Sequence, residues 1–146
     1  MIVLSYPPSV NRMWRNVNGR TLLSAEGRKY RESGSVELLS HSLKERRHWP
    51  YTGRLSVTVL AHPPDKRRRD LDNISKALLD LLTHAGVYGD DSQIDRLLIE
   101  RGPVAPGGFV RVEITPFVQL LTHQGSTHDV LSAMSPRYAG TERRKP

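Results

Sequence analysis

The 146-residue chain contains no cysteine, which excludes disulfides, thiolate metal sites and cysteine nucleophiles. No apolar run approaches the roughly 20 residues needed to cross a bilayer. The opening MIVLSYPPSV has neither a charged leader nor a long apolar core, so a secretory signal is not expected and a soluble intracellular protein is. The six histidines show no H-x-x-x-H or H-x-x-E-H spacing, which argues against a zinc site. No serine sits in a G-x-S-x-G context, and neither a P-loop nor a G-x-G-x-x-G fingerprint occurs, so no nucleotide cofactor is expected. Acidic residues are also in deficit: 15 Asp plus Glu stand against 22 Lys plus Arg, a formal net charge of +7. That balance favours a polyanionic partner, nucleic acid or an anionic surface. It stays positive when the C-terminal residues are set aside, and the length suits one core, so catalysis and binding would share one domain.

MIVLSY, rich in β-branched residues and stopped by Pro7-Pro8, predicts a strand. PPSVNRMWRNVNGRT predicts a loop. Ser24 predicts the cap of a helix running from Ala25 to about Lys44, with a face of Tyr30, Val36, Leu39 and Leu43 weakened by Ser33-Gly34-Ser35. RLSVTVLA alternates, placing Leu55, Val57, Val59 and Ala61 on one side of a strand. From Leu71 the apolar residues fall at Leu71, Ile74, Leu78, Leu81 or Leu82 and Ala85, helical spacing closed by Gly86. QIDRLLIER and FVRVEIT predict two more strands, the second with Val110, Val112 and Ile114 inward. The order β-α-β-α-β-β implies an α/β (α+β) fold: a mixed sheet of about four strands with two main helices packed on it. The helical crossover implies a parallel pair, and the last two strands are expected to form an antiparallel hairpin. Residues 1–116 form the expected domain, and 117–146 a mobile C-terminal extension.

DKRRRDLDNISK, residues 65–76, sets Lys66, Arg67, Arg68 and Arg69 directly before Asp70 and Asp72, where a helix begins. One reading is structural: aspartate caps helices, and a second acid suits the helix dipole. Asp90 and Asp91 read equally well as turn residues. The other reading is chemical. Residues i and i+2 in a regular helix point about 200° apart, so Asp70 and Asp72 can share an ion only if Asp70 still belongs to the loop. Carboxylates gathered in one pocket stay ionised together only around a cation, and oxygen donors favour Mg²⁺ or Mn²⁺. Such ions activate water against phosphodiesters. Lys76, four residues beyond Asp72 on the same face, is either an ordinary surface ion pair or a cation for the scissile phosphate. Asn73 lies near that face. In the first loop Asn11, Arg12 and Arg15 are candidate backbone contacts, whereas Trp14 is expected to pack beneath the loop.

With these residues in view, the chain resembles the RusA family of Holliday junction resolvases. The resemblance rests on PDKRRRDLDNISKALLDLLTHAGVYGDDSQI, residues 64–94, which carries the basic run, D-x-D-N-x-x-K, a helix and G-x-x-x-D-D. PPSVNRMWR and GRTLLSAEGRKYR add a second match, and the whole covers about residues 2–115. It implies a metal-dependent endonuclease that cuts four-way DNA junctions in recombination and repair. Asp70, Asp72 and Asp91 would be Mg²⁺ ligands, Lys76 the lysine of the catalytic site, and Arg67, Arg68 and Arg69 the basic stretch. It also implies a homodimer with two active sites, whose two-fold axis matches that of the junction, in a bacterial or phage-encoded cytoplasmic protein. Two features depart from the family pattern: the extension beyond about residue 116 and the long, charged KERRHWPYTG. A non-catalytic nucleic-acid binder with the acids as caps is the alternative expectation. A D-x-D phosphotransferase fits poorly, because cations and a proline pair separate the motif from its strand.

Overall fold

The structure, a computed structural model, describes residues 1–41 and 46–118. A four-stranded mixed sheet carries the fold, in spatial order β1-β6-β4-β5. Its strands are β1 (Ile2–Ser5), β4 (Leu55–His62), β5 (Ile94–Arg101) and β6 (Phe109–Pro116). One face is apolar by strict alternation. Ile2 and Leu4, Leu55, Val57, Val59 and Ala61, and Val110, Val112 and Ile114 are all buried on it. The helices α2 (Ala25–Ser40) and α3 (Asp72–His84) contribute the rest of the core. The mixed sheet with two main helices agrees with the fold class read from the sequence.

α3 forms where its spacing predicts. Ile74, Ala77, Leu78, Leu81 and Leu82 are buried along one stripe, and Gly86 closes the helix with φ +72°. It connects β4 to β5, which pair in parallel as a crossover requires. The expected hairpin of the last two strands does not occur. After β5 the chain passes over the end of β4, where Gly102 N–H donates to Ala61 O at 2.8 Å and Ala105 N–H to Pro63 O at 2.9 Å. It then returns as β6 on the other side, antiparallel to both β4 and β1. β5 is left as an edge.

Two local readings also change. The first loop contains a four-residue helix, α1 (Val10–Met13), and a hairpin of β2 (Trp14–Val17) and β3 (Arg20–Leu23). Asn18 and Gly19 make its two-residue turn, both with positive φ (50° and 74°), the backbone that an Asn-Gly pair supplies best. α2 is capped by Ser24, whose hydroxyl accepts from Gly27 N–H at 2.9 Å, and it ends at Ser40 rather than near Lys44; Leu43 lies outside the described residues. Its buried side is Gly27, Tyr30, Gly34 and Leu38, while Val36 and Leu39 are 67% and 66% exposed. The glycines explain the rotation. A Cβ on Gly34 would collide with the Leu81 side chain, so α2 approaches α3 through its smallest residues. The extension expected from residue 117 lies outside the described residues from 119 onward.

Candidate active site and nucleic-acid interface

The basic run leaves β4 through Pro63-Pro64 and is ordered by Asp65. That carboxylate accepts from Arg67 N–H at 2.8 Å and takes a two-pronged contact from Arg69, at 2.6 and 2.9 Å. Hydrogen bonds from Arg69, then from the Arg67 backbone, hold the Asp65 carboxyl down at about 2. Arg69 is thus a fixed, half-buried donor, and its carbonyl accepts from Arg101 Nη2 at 2.5 Å. Lys66, Arg67 and Arg68 are exposed. These arginines line a cavity of about 690 Å³ together with Asn11, Arg12, Asp70 and Asn73. Arg12 also pairs with Glu26 at 2.9 Å. Arg15 lies outside that cavity, exposed on β2. Three further residues line the cavity: Lys29, on the basic first turns of α2, and the aromatic Tyr6 and Tyr30. Both tyrosine hydroxyls are buried without a partner among the described residues, and burial pushes both up.

Neither aspartate of the D-x-D pair caps α3. The cap position is Leu71, which makes no side-chain cap bond, so the capping role read for Asp70 fails. Asp70 lies in the loop before the helix, Asp72 is its first residue, and both are exposed. That is the backbone arrangement two carboxylates at i and i+2 require if they are to face one ion. Asn73 Nδ2 lies 3.5 Å from Asp70 Oδ2, the outer limit of a hydrogen bond. Lys76 pairs with Asp80 one turn further on, at 3.2 Å, rather than with Asp72.

Asp90 and Asp91 differ in role. Asp90 caps the single 3-10 turn Asp91–Gln93: its Oδ1 accepts from Ser92 N–H at 2.8 Å, and Gln93 Oε1 returns a contact to the Asp90 N–H at 3.0 Å. The Ser92 hydrogen bonds hold the Asp90 carboxyl below its ordinary value. Asp91 is exposed and not engaged in the cap. It lines a second cavity, of about 1010 Å³, with Lys76, Asp80, His84, Asn11 and Trp14. Trp14 is half-buried and packs on the core, as expected for a residue beneath the loop.

Within one chain, Asp70 and Asp72 lie at one end of α3 and Asp91 beyond the other. Thirteen residues of helix span about 20 Å. The sheet repeats the separation: Asp91 precedes β5, whose start pairs with Leu55, whereas Asp70 follows the far end of β4. Among the described residues, no three His, Asp or Glu side chains gather closely enough to hold a metal ion. None of the described helices is long and apolar enough to cross a membrane.

The domain is α+β, and its arginine-lined cavity carries the positive charge and hydrogen-bond donors that phosphate groups attract. Comparison with known proteins defines it further. The family model for endodeoxyribonuclease RusA matches residues 5–115. A crossover junction endodeoxyribonuclease of Enterobacteria phage HK97 is 44% identical over 113 residues, 77% of this chain and 91% of that protein. RusA proteins of Shigella sonnei and Escherichia coli K12, carrying the same description, are each 40% identical over 114 residues, 78% of this chain and 92% of theirs. The chain belongs to the RusA endodeoxyribonuclease family.

Proposed function

We propose that this protein is a Mg²⁺-dependent endonuclease that resolves four-way DNA junctions as a homodimer, with Asp70, Asp72 and Asp91 as metal ligands and Lys76 in the catalytic site. The observation that carries the reading is the state of the D-x-D pair. Two exposed carboxylates stand at a loop-to-helix junction, neither used as a cap, and Asp70 lines a cavity whose arginines attract phosphate. Asp72 also suits the helix dipole, but Asp70 has no capping role to account for its charge beside the arginines. The all-oxygen donor set fits a hard divalent ion. When bound, Mg²⁺, or Mn²⁺ in its place, neutralises the carboxylates and the phosphodiester and strengthens water as a nucleophile.

The chain's own residues divide the remaining work. Arg67 and Arg68 attract the DNA backbone, and Arg69, locked by Asp65, offers a preset donor. Lys76, once drawn from Asp80, holds positive charge at the oxygen that leaves phosphorus. Attack by water's oxygen breaks the phosphorus–O3′ bond. The water's proton passes to solvent and O3′ takes one up, leaving 5′-phosphate and 3′-hydroxyl ends. Because the acids occupy opposite ends of α3, a full set of three comes from two chains: Asp70 and Asp72 of one protomer and Asp91 of its partner. Two such sites would be related by the dimer axis, as symmetric incision requires.

Cleavage of a synthetic four-way junction with Mg²⁺, by the wild type and by Asp70→Asn, tests the assignment. The variant keeps shape and loses charge. It should bind the junction at least as tightly and cut it slower by about a hundredfold or more, the scale of losing one group that stabilises the transition state. Equal cutting by both proteins removes Asp70 from the site, and cutting by neither at any protein concentration favours a DNA-binding role alone.

A further inference from the structure

α3 carries the spacing D-x-x-x-K-x-x-x-D over residues 72–80. Residues four apart share a helical face, so Lys76 lies between two acids. Asp72 stands one turn toward the N-terminus and Asp80 one turn toward the C-terminus. One ammonium thus has two carboxylates within reach. On an isolated helix the acid on the N-terminal side is the better partner for a lysine four residues on. The structure takes the other: Lys76 Nζ lies 3.2 Å from Asp80 Oδ1. The burial of the two acids accounts for the choice. Asp72 is exposed, so water and salt screen its charge; the Asp80 side chain is 21% exposed, and its attraction is screened less.

The choice has a direction. Lys76 and Asp80 line the second cavity together with Asp91, and Asp72 does not. The contact therefore holds the ammonium toward that cavity and clear of Asp72. A partly exposed pair of this kind adds little to stability. Its effect is on occupancy: a lysine seated on Asp72 would compete with a divalent ion for the same oxygens. We propose that Asp80 is a positioning residue of the metal-dependent site, which holds Lys76 at its own carboxylate and so leaves Asp72 free for a divalent cation. The proposal rests on the reading of Asp72 as a metal ligand and of Lys76 as the lysine of the site. Asp80 touches neither metal nor DNA; its carboxylate acts through the lysine alone. An asparagine at position 80 keeps the shape and cannot hold the ammonium by charge. Lys76 then falls back one turn to Asp72, the partner that helix geometry favours.

Mn²⁺ alone, titrated into the full chain and followed by electron paramagnetic resonance of the free ion, tests this role without any cutting. Asp80→Asn should weaken Mn²⁺ binding about threefold, the scale on which an i,i+4 ion pair competes for one carboxylate. Asp80→Glu, which returns the charge to the same helical position, should recover the wild-type value. In a Lys76→Gln background the loss on Asp80→Asn should vanish, because no cation is left to fall back on Asp72. With Mg²⁺ and a four-way junction, the metal concentration for half-maximal cutting should rise by the same factor in Asp80→Asn, while metal-free junction binding does not weaken. Equal Mn²⁺ binding by the wild type and Asp80→Asn overturns the proposal. So does an equal loss with and without Lys76, which would make Asp80 a ligand in its own right. A wild type that takes up no Mn²⁺ sinks the metal reading on which the proposal rests. A wild type that shows the Mn²⁺ pattern and cuts no junction sinks the nuclease reading and leaves the part of Asp80 standing.

Discussion

Asp65 shows how one side chain converts a run of like charges into an ordered surface. Four cations in succession repel one another, yet Arg69 is fixed because Asp65 takes both its prongs and the Arg67 N–H. These bonds hold the folded carboxyl at about 2, below its ordinary 3.8. A lowered folded value stabilises the protein above the unfolded value, and that contribution disappears as pH falls toward 2. Urea denaturation followed from pH 5 to pH 2 should show a loss in the wild type that is smaller in Asp65→Asn. Arg67 and Arg68, by contrast, project into solvent. Replacing both with alanine should lower junction affinity and reduce the dependence of log K on log salt concentration by about 2, measured by titration at several salt concentrations. At this scale the sequence is legible for chemistry and poor for partnership. It shows the D-x-D pair, Lys76 and the arginines. It cannot show that Asp80 rather than Asp72 holds Lys76, or that Asp90 is a cap and Asp91 is not, because each depends on a turn of backbone or a rotamer choice.

Among the elements, α3 and β4 are the ones whose burial follows directly from periodicity. α3 presents an unbroken apolar stripe, and β4 alternates over its whole length. α2 is the counterexample. Its aliphatic residues Val36 and Leu39 suggest one face, and the helix buries another, built on Gly27 and Gly34. Hydrophobic spacing registers side chains and passes over glycine, although a glycine seam permits the closest packing. Gly34→Ala tests that seam. In an exposed helix the change would gain about 1 kcal/mol of propensity. Here the added methyl meets Leu81 in a filled core, and overpacking of about 1–3 kcal/mol should outweigh the gain. A lower urea midpoint with an unchanged m-value is the expected result. The β2–β3 hairpin is a missed element of another kind. Its Asn18-Gly19 turn is a strong local signal, obscured by the arginines and asparagines around it.

For the whole molecule, the sequence yields the layers and not their order. Both crossover helices and all four main strands are legible; the insertion of β6 between β1 and β4 is not, because the adjacency of β5 and β6 in the chain suggests a hairpin. With β6 inside the sheet, β5 becomes the edge. The gathering of Asp70, Asp72 and Asp91 is the step that spacing alone could not settle, and among the described residues of one chain no three acids gather around a common point.

Mixing two dead variants tests that step most directly. Asp70→Asn and Asp91→Asn, each inactive alone, are combined under conditions that allow protomers to exchange, and nicking of a four-way junction is measured with Mg²⁺. If each site draws Asp70 from one chain and Asp91 from the other, a mixed dimer holds one intact site, and random exchange restores about a quarter of the wild-type sites. Single nicks should then appear well above the residual cutting of either variant alone. If each chain carries its own complete site, every site in the mixture stays damaged. A mixture as inactive as its components, with exchange verified, would contradict the shared site.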